Sequence, residues 1–204
     1  DSIESYIVDG KYTKSKNSYY NKEIARLTSI AMKQCKGSKY FKRTKQINKL
    51  QTKRNNFIKD YIHKSSKKIV DIAIIHKCKT IVIGDFSGIK QENKSKSFVQ
   101  IPQQELVEKI NYKAKLLGIE VVMQNEAYTS GCSALDLEPV NKEYYNKSRR
   151  VTRGLFVSNN KIKINADVNG SLNILRKYNE CTPKLVKQAR DNGFLNNPIR
   201  LRVA

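Results

Sequence analysis

The chain has 204 residues, enough for one well-buried α/β domain, and 40 Lys and Arg against 18 Asp and Glu give a formal net charge of +22. No apolar run approaches the roughly 18 residues that a membrane span needs, and no secretory signal opens the chain. Excess cations bind polyanions by releasing counterions, so we expect a nucleic-acid partner, with an acidic membrane surface as the disfavoured rival.

The four cysteines lie far apart and form no Cys-x-x-Cys pair. This spacing predicts neither a disulfide framework nor a structural zinc site, so we expect no zinc. A reducing compartment fits the pattern, and we expect a cytoplasmic protein. The residues are Cys35, Cys78, Cys132 and Cys181.

The first third of the sequence predicts a hairpin and two helices. Short apolar runs predict two strands over 3–13, turning at an Asp-Gly pair, and helical spacing predicts helices over 17–34 and 39–78. Segment 36–68 holds 12 Lys and Arg but one acid. We therefore expect the second helix to contact phosphates, the alternative being a solvated charged face. The expected contacts are Lys42, Arg43, Lys45, Lys49, Lys53 and Arg54.

A strand, a helix and a second strand follow. The apolar run 80–84 is typical of a strand buried on both faces, 103–117 predicts a helix that begins after Pro102, and 119–123 predicts the next strand. This order predicts a right-handed βαβ crossover, with two adjacent parallel strands and the helix packed across them.

The last third predicts a basic loop, a hairpin and a final helix. The hairpin turns at 158–160, and the helix runs over 167–178 after the capping residue Asn165. A basic, irregular tail follows. We expect the basic loop to bind nucleic-acid phosphates, the alternative being a solvated loop; its arginines are Arg149, Arg150 and Arg153.

Three segments occur in a telling order: Thr-Ile-Val-Ile-Gly-Asp at 80–85, Tyr-Thr-Ser-x-Cys at 128–132, and Asn-Ala-Asp-Val-Asn-Gly-Ser-Leu-Asn-Ile-Leu at 165–175. Together they resemble the C-terminal half of TnpB, the RNA-guided nucleases of bacterial insertion sequences, which are similar to miniature type V CRISPR effectors. The resemblance implies an α/β, RNase H-like (RuvC-like) fold, a mixed sheet with flanking helices. It also implies DNA and guide RNA as partners, in the bacterial cytosol or nucleoid.

The resemblance further implies metal-dependent phosphodiester hydrolysis at converging carboxylates, with Mg²⁺ or Mn²⁺ as cofactor if the site is competent. Asp167 matches the last carboxylate, the alternative being a helix-start acid that complements the dipole. Gly84 stands where many members have Glu, and Asp85 should point to the opposite face of a regular strand. Glu126, just beyond the next strand, is the candidate substitute, the alternative being an exposed loop acid. The expected catalytic and metal-binding residues are therefore Asp167 and Glu126.

The family's first carboxylate is expected on a strand before residues 3–13, so this chain, which opens on Asp1, is interpreted as a C-terminal fragment or a decayed copy. The missing N-terminal portion is then a further partner, the first strand is absent and the zinc ribbon is degenerate. We expect the fragment to be inactive by itself; the alternatives are a nuclease-dead RNA-guided DNA-binding protein and, less favoured, an unrelated RNA-binding protein. The predicted organisation is a nuclease core with a long basic helical insertion (1–130), a ribbon-equivalent basic loop and hairpin (131–164), the last helix (165–180) and a basic tail (181–204).

Overall fold

A computed structural model describes residues 4–35, 41–85, 102–179, 186–187, 195 and 198–203. The chain divides into two compact units. The helical unit contains α1, α2 and α3, and the strand unit contains β2 to β5 and α4. Of the described helices, none combines the length and apolar character that crossing a membrane requires. The described elements are β1 (Tyr6–Asp9), α1 (Lys11–Gln34), α2 (Lys45–Ile75), β2 (Thr80–Asp85), α3 (Gln103–Lys115), β3 (Glu120–Asn125), β4 (Leu155–Val157), β5 (Lys163–Asn165), α4 (Ala166–Tyr178) and β6 (Ile199–Arg202).

The helical unit is built on α2, against which α1 and α3 both pack. Thr44 caps α2, because its hydroxyl accepts a hydrogen bond from the backbone N–H of Ile47 at 3.3 Å. Lys113 of α3 donates to the carbonyl of His63 and the hydroxyl of Ser66, at 2.7 Å each. The buried apolar side chains are Ala31, Ile47, Ile58, Ile62, Val70, Ala73, Ile110 and Ala114.

The helix between the two parallel strands belongs to the helical unit, where it packs against α2 and buries Ile110 and Ala114. Two predictions about the ends of the chain are wrong. The Asp-Gly pair of 3–13 begins a helix instead of turning a hairpin, because Asp9 Oδ1 accepts a hydrogen bond from Lys11 N at 2.9 Å. β1 pairs with β6 instead, which places a strand within the tail that was expected to be irregular.

The strand unit confirms the parallel pair. β2 and β3 lie side by side in a register that runs from Thr80 opposite Glu120 to Asp85 opposite Asn125, so both strands end at the same edge. α4 packs against both strands. Its predicted cap is confirmed as well, since Asn165 Oδ1 accepts from Asp167 N at 2.9 Å and from Val168 N at 3.3 Å.

β4 and β5 form the predicted antiparallel hairpin, which packs against α4. The core of this unit lies around Phe156, which is fully buried. The described part of the chain combines helices with two-stranded sheets, so the α/β class is confirmed, while the RNase H-like sheet without its first strand stays a prediction. The buried core residues are Ala134, Leu135, Phe156, Ile164, Ala166, Val168, Leu172, Val186 and Leu195.

Candidate active-site cleft and cationic surface

A cleft of about 570 Å³ opens in the strand unit, where β3 ends and α4 begins. Its walls carry both predicted carboxylates, Glu126 and Asp167, together with the guanidinium group of Arg150. The second and third sequence segments of the family resemblance therefore meet in one place. The other lining residues are Ala127, Tyr128, Thr129, Ser130, Tyr145, Ala166, Gly170, Ser171 and Ile174.

The Glu126 side chain lies against the glycine at position 84. A Cβ atom built on Gly84 would lie 2.7 Å from Glu126 Oε2 and 2.9 Å from Ile174 Cδ1, closer than nonbonded atoms approach. The Glu126 carboxylate therefore fills the space in which a side chain at position 84 would begin. Burial raises the pKa of Glu126, and the negative charge of Asp85 raises it further.

Asp167 lies in the first turn of α4, and its side chain is 69% exposed. Arg150 Nη2 lies 3.3 Å from Asp167 Oδ1 and also donates to the carbonyl of Arg153 at 2.8 Å. An ion pair with so much solvent access contributes little to stability. Arg150 can therefore exchange this carboxylate for another anion at small cost.

The cleft offers the right donor atoms for a divalent cation but too few of them. Glu126 and Asp167 supply carboxylate oxygens, which Mg²⁺ and Mn²⁺ prefer over nitrogen or sulfur. Within the described ranges, no group of three His, Cys, Asp or Glu side chains is arranged to hold a metal ion. The metal-binding role of the two acids therefore stays a prediction, which would need another carboxylate.

Arg149 is engaged inside the strand unit. Its Nη1 contacts both carboxylate oxygens of Glu138, at 2.8 and 2.6 Å, and the two side chains are only 17% and 7% exposed. Glu138 also accepts from Ser133 N at 2.8 Å and from Asn159 Nδ2 at 2.6 Å. A phosphate would have to compete with this network, so the structure connects Arg149 to folding, whereas Arg153 is exposed.

Two residues that sequence reasoning missed fix the Tyr-Thr-Ser-x-Cys segment to α4. Asn169 accepts from Ala134 N at 3.0 Å and donates to the carbonyl of Cys132 at 2.9 Å. Asn173 donates to the same carbonyl at 2.8 Å and to that of Thr129 at 2.9 Å. Both asparagines are fully buried. Their four-residue spacing, which puts both on one helix face, was the available signal.

The cysteines show no metal-binding arrangement in the part of the chain that the structure describes. Cys132 is buried, and its thiol lies 3.5 Å from the carbonyl oxygen of Asn141. Burial raises the pKa of this thiol, which disfavours the thiolate that zinc binds. Among the described residues, Cys35 and Cys78 form no disulfide, and Cys181 lies outside the described residues. The absence of zinc stays a prediction.

A row of cations runs along α2 in the helical unit. Lys45, Lys49 and Lys53 follow one another at four-residue spacing, and all three are exposed. Among the described residues, none of the three makes an ion pair. Like charges at this spacing repel one another, so a bound polyanion would relieve the repulsion. We call these three residues the lysine row.

The other predicted cations of this segment differ in exposure. Lys42 and Arg43 are exposed just before α2, where Arg43 Nη1 contacts Gln51 Oε1 at 3.0 Å. Arg54 is half-buried, and its Nε donates to Asn17 Oδ1 at 2.7 Å. Because Asn17 is fully buried in α1, Arg54 joins the two helices.

Comparison with known proteins gives one family match in the N-terminal part of the sequence and another in the C-terminal part. Residues 1–90 match the family model OrfB_IS605, described as a probable transposase. Residues 104–174 match the model of the Cas12f1-like TNB domain. The second match includes both carboxylates of the cleft and the network around Glu138.

Two curated relatives are CRISPR-associated endodeoxyribonucleases named Cas12f1. The protein of Syntrophomonas palmitatica is 35% identical over 113 residues, which are 55% of this chain and 21% of the relative. The protein of Sulfoacidibacillus thermotolerans is 37% identical over 89 residues, which are 44% of this chain and 21% of the relative. The matched segments thus span about a fifth of each relative's length.

A solved structure of a Cas12f1–sgRNA–target DNA complex is similar to 76% of this chain, over 40% of the matched chain, with a TM-score of 0.54 and 25% identity. The fold and these matches define a mixed α/β protein of the transposase-associated and Cas12f1-like class. These matches confirm the resemblance to TnpB-like proteins that the sequence motifs predicted.

Proposed function

We propose that the chain forms the C-terminal, RuvC-like part of an RNA-guided DNA endonuclease that hydrolyses phosphodiester bonds with divalent cations. The main support is the relation between Glu126 and Gly84. The acid fills the space of the missing side chain at the family's Glu position, in the same cleft as Asp167. Both curated relatives carry the name endodeoxyribonuclease.

In this proposal Glu126 and Asp167 hold the cations, which when bound supply activation of water and stabilisation of the leaving oxygen. An Asp from a segment N-terminal to these residues completes the ligand set, as the family resemblance implies. The raised pKa of Glu126 makes its ionisation part of the cost of cation binding. Arg150 leaves Asp167 and neutralises a phosphate of the DNA at the rim of the cleft.

DNA and a guide RNA are the proposed partners. The similar solved structure is a complex that contains both kinds of nucleic acid, and this chain carries a formal net charge of +22. The lysine row and Arg153 contact phosphates without reading bases, while base pairing between guide and target supplies the sequence. The parallel pair of β2 and β3, with α4 against it, is the proposed remnant of the RNase H-like sheet.

A reconstituted protein tests the catalytic assignment. The chain is joined to an N-terminal portion that carries the further Asp, and is supplied with guide RNA and Mg²⁺. We expect cutting of guided DNA, which Glu126→Gln and Asp167→Asn should each abolish without loss of guided binding, because each removes an anionic ligand. Glu120→Gln, an exposed acid on β3, is the matched control and should cut like the parent.

Two outcomes would contradict this assignment. Guided DNA binding without any cutting would favour the nuclease-dead alternative, which Gly84 and the incomplete ligand set motivate. Cutting that survives Glu126→Gln but needs Asp85 would show that the other acid had replaced the family's Glu.

The chain by itself should not cut DNA in Mg²⁺. Glu126 and Asp167 provide fewer carboxylates than a two-ion site requires. Nicking of supercoiled plasmid by the 204-residue chain measures this directly. Nicking that disappears in the Asp167→Asn variant would mean that the residues present suffice.

A further inference from the structure

We propose that the helical unit binds an unpaired RNA base in an aromatic pocket between α1 and α2. The proposal rests on the proposed function, since it gives the chain a specific contact with single-stranded RNA. The pocket has a volume of about 260 Å³, and no residue of the lysine row lines it. Its lining residues are Tyr12, Thr13, Phe57, Asp60, Tyr61 and Val203.

The walls of this pocket are aromatic rings on two helices. Tyr12 of α1 and Phe57 of α2 meet edge to face, with ring centroids 5.9 Å apart and an angle of 75° between the planes. Tyr61 of α2 also lies in the wall, and its Oη lies close to Gly10, where a Cβ atom would be 3.1 Å away. Tyr12 is 53% exposed, so part of its ring remains available to a planar ligand.

Cations surround these rings. Lys16 Nζ lies 5.2 Å from the Tyr12 centroid and 5.1 Å from the Phe57 centroid, and it donates to the Tyr12 hydroxyl at 2.9 Å. An adjoining cavity of about 180 Å³ shares Tyr12 and Tyr61 and is also lined by Lys11 and Arg202. Aromatic rings bordered by cations are the arrangement with which proteins bind single-stranded nucleic acid, because bases stack and phosphates pair.

The acid in the pocket selects a base over a phosphate. Asp60 lines the pocket and contacts Lys64 at 2.8 Å, and its carboxylate can accept a hydrogen bond from an amino group on a base edge, which a phosphate lacks. The hydroxyls of Thr13 and Tyr61 add polar groups able to bond a ribose 2′-hydroxyl, the group that distinguishes RNA from DNA. An apolar peptide would leave these polar groups without partners.

The test uses a single-stranded RNA oligonucleotide that contains 2-aminopurine, whose fluorescence is quenched when the base stacks. The full chain is titrated at a salt concentration that weakens its general electrostatic binding. Tyr12→Ala should remove the quench and weaken binding by about 5- to 150-fold, the range expected when one base no longer stacks on a ring. Tyr12→Phe, which keeps the ring, should bind like the parent.

Tyr19→Ala is the matched control, because Tyr19 is equally exposed on α1, at 59%, but does not line the pocket. The RNA affinity of this variant should stay within twofold of the parent's, a difference of about 0.4 kcal/mol in binding free energy. Asp60→Asn is a second variant, and it should weaken binding while leaving the aromatic walls in place.

Three results would overturn the proposal: equal losses in the Tyr12→Ala and Tyr19→Ala variants, an unquenched base in the parent, or equal affinity for single-stranded DNA of the same sequence. This assay contains no Mg²⁺ and no target DNA. Its failure is therefore distinguishable from a failure of the nuclease assignment, which is measured by cutting in the reconstituted protein.

Discussion

The lysine row of the helical unit and two arginines of the strand unit are used in opposite ways. Along α2, the lysine row is exposed and makes no ion pair with any described residue. In the strand unit, Arg149 is bound to Glu138, and Arg176 donates to Asn173 Oδ1 and to the carbonyl of Glu138, at 2.8 Å each. Burial lowers the pKa of Arg176, as expected of a cation used inside a fold.

The difference follows from the local supply of acids and buried carbonyls. Segment 36–68 has one acid for 12 cations, and that acid, Asp60, is paired with Lys64. The strand unit places Glu138 in its interior, with 7% of its side chain exposed, and a buried carboxylate needs a cation. A basic residue in a sequence is therefore available to a nucleic acid only where no acceptor inside the fold already holds it.

The largest expected effect is on stability, from Arg149→Gln. The variant leaves the Glu138 carboxylate buried without its cation, and breaking a buried pair in this way typically costs about 3–5 kcal/mol. Urea unfolding of the chain measures the loss. Arg153→Gln is the matched control, since Arg153 is exposed, and it should change stability by no more than about 0.5 kcal/mol.

Unchanged stability with weaker DNA binding would support the prediction from sequence that Arg149 binds nucleic-acid phosphates. If Arg149→Gln unfolds at the parent's urea concentration and weakens DNA binding as Arg153→Gln does, then Arg149 exchanges Glu138 for phosphate in the complex. Basic residues of both units would then bind phosphates, and the units would differ only in how strongly those residues are held in the free protein.

The cleft and the Glu138 network differ in how far the sequence could predict them. The motif segments specify the positions of Asp167 and Glu126, and both acids line one cleft, while their catalytic role stays a prediction. The role of Glu138 could not be found, because no periodicity marks a loop residue that becomes buried. The Asp-Gly pair at the start of α1 satisfies both a hairpin and a helix start, and only the pairing of β1 with β6 decides between them.

A smaller effect is expected on binding, from replacing Lys45, Lys49 and Lys53 together by Gln. Binding to duplex DNA should weaken for all sequences alike, and the slope of log K against log salt should become shallower by roughly 0.9 for each phosphate that the protein no longer neutralises. Filter binding over a range of salt concentrations measures both. Stability should not fall, since the change removes repulsion between neighbouring lysines.

Replacement of exposed lysines elsewhere is the control for this row. Lys115→Gln and Lys163→Gln each remove one exposed charge outside α2. Together with a third exposed lysine, Lys142, they match the charge change of the triple variant. An equal change in slope would show that binding depends on net charge alone, and a weakening confined to one DNA sequence would indicate contact with bases.

The smallest expected effect is on the pH dependence of stability, and it compares two acids. Glu138 is paired with Arg149, whereas Glu126 makes no ion pair with a described residue. Burial and Asp85 raise the pKa of Glu126, so the folded state binds a proton over a pH window in which the unfolded state has lost it. The stability that this proton contributes is full below the ordinary glutamate pKa and is lost as pH rises through the raised pKa.

Glu126→Gln removes this dependence, so without divalent cations the variant should be slightly more stable than the parent at neutral pH and no more stable well below the ordinary glutamate pKa. Thermal unfolding in EDTA across this range measures the difference. A variant that is less stable than the parent at neutral pH would mean that ionised Glu126 stabilises the fold, and the cleft would then resemble the Glu138 network.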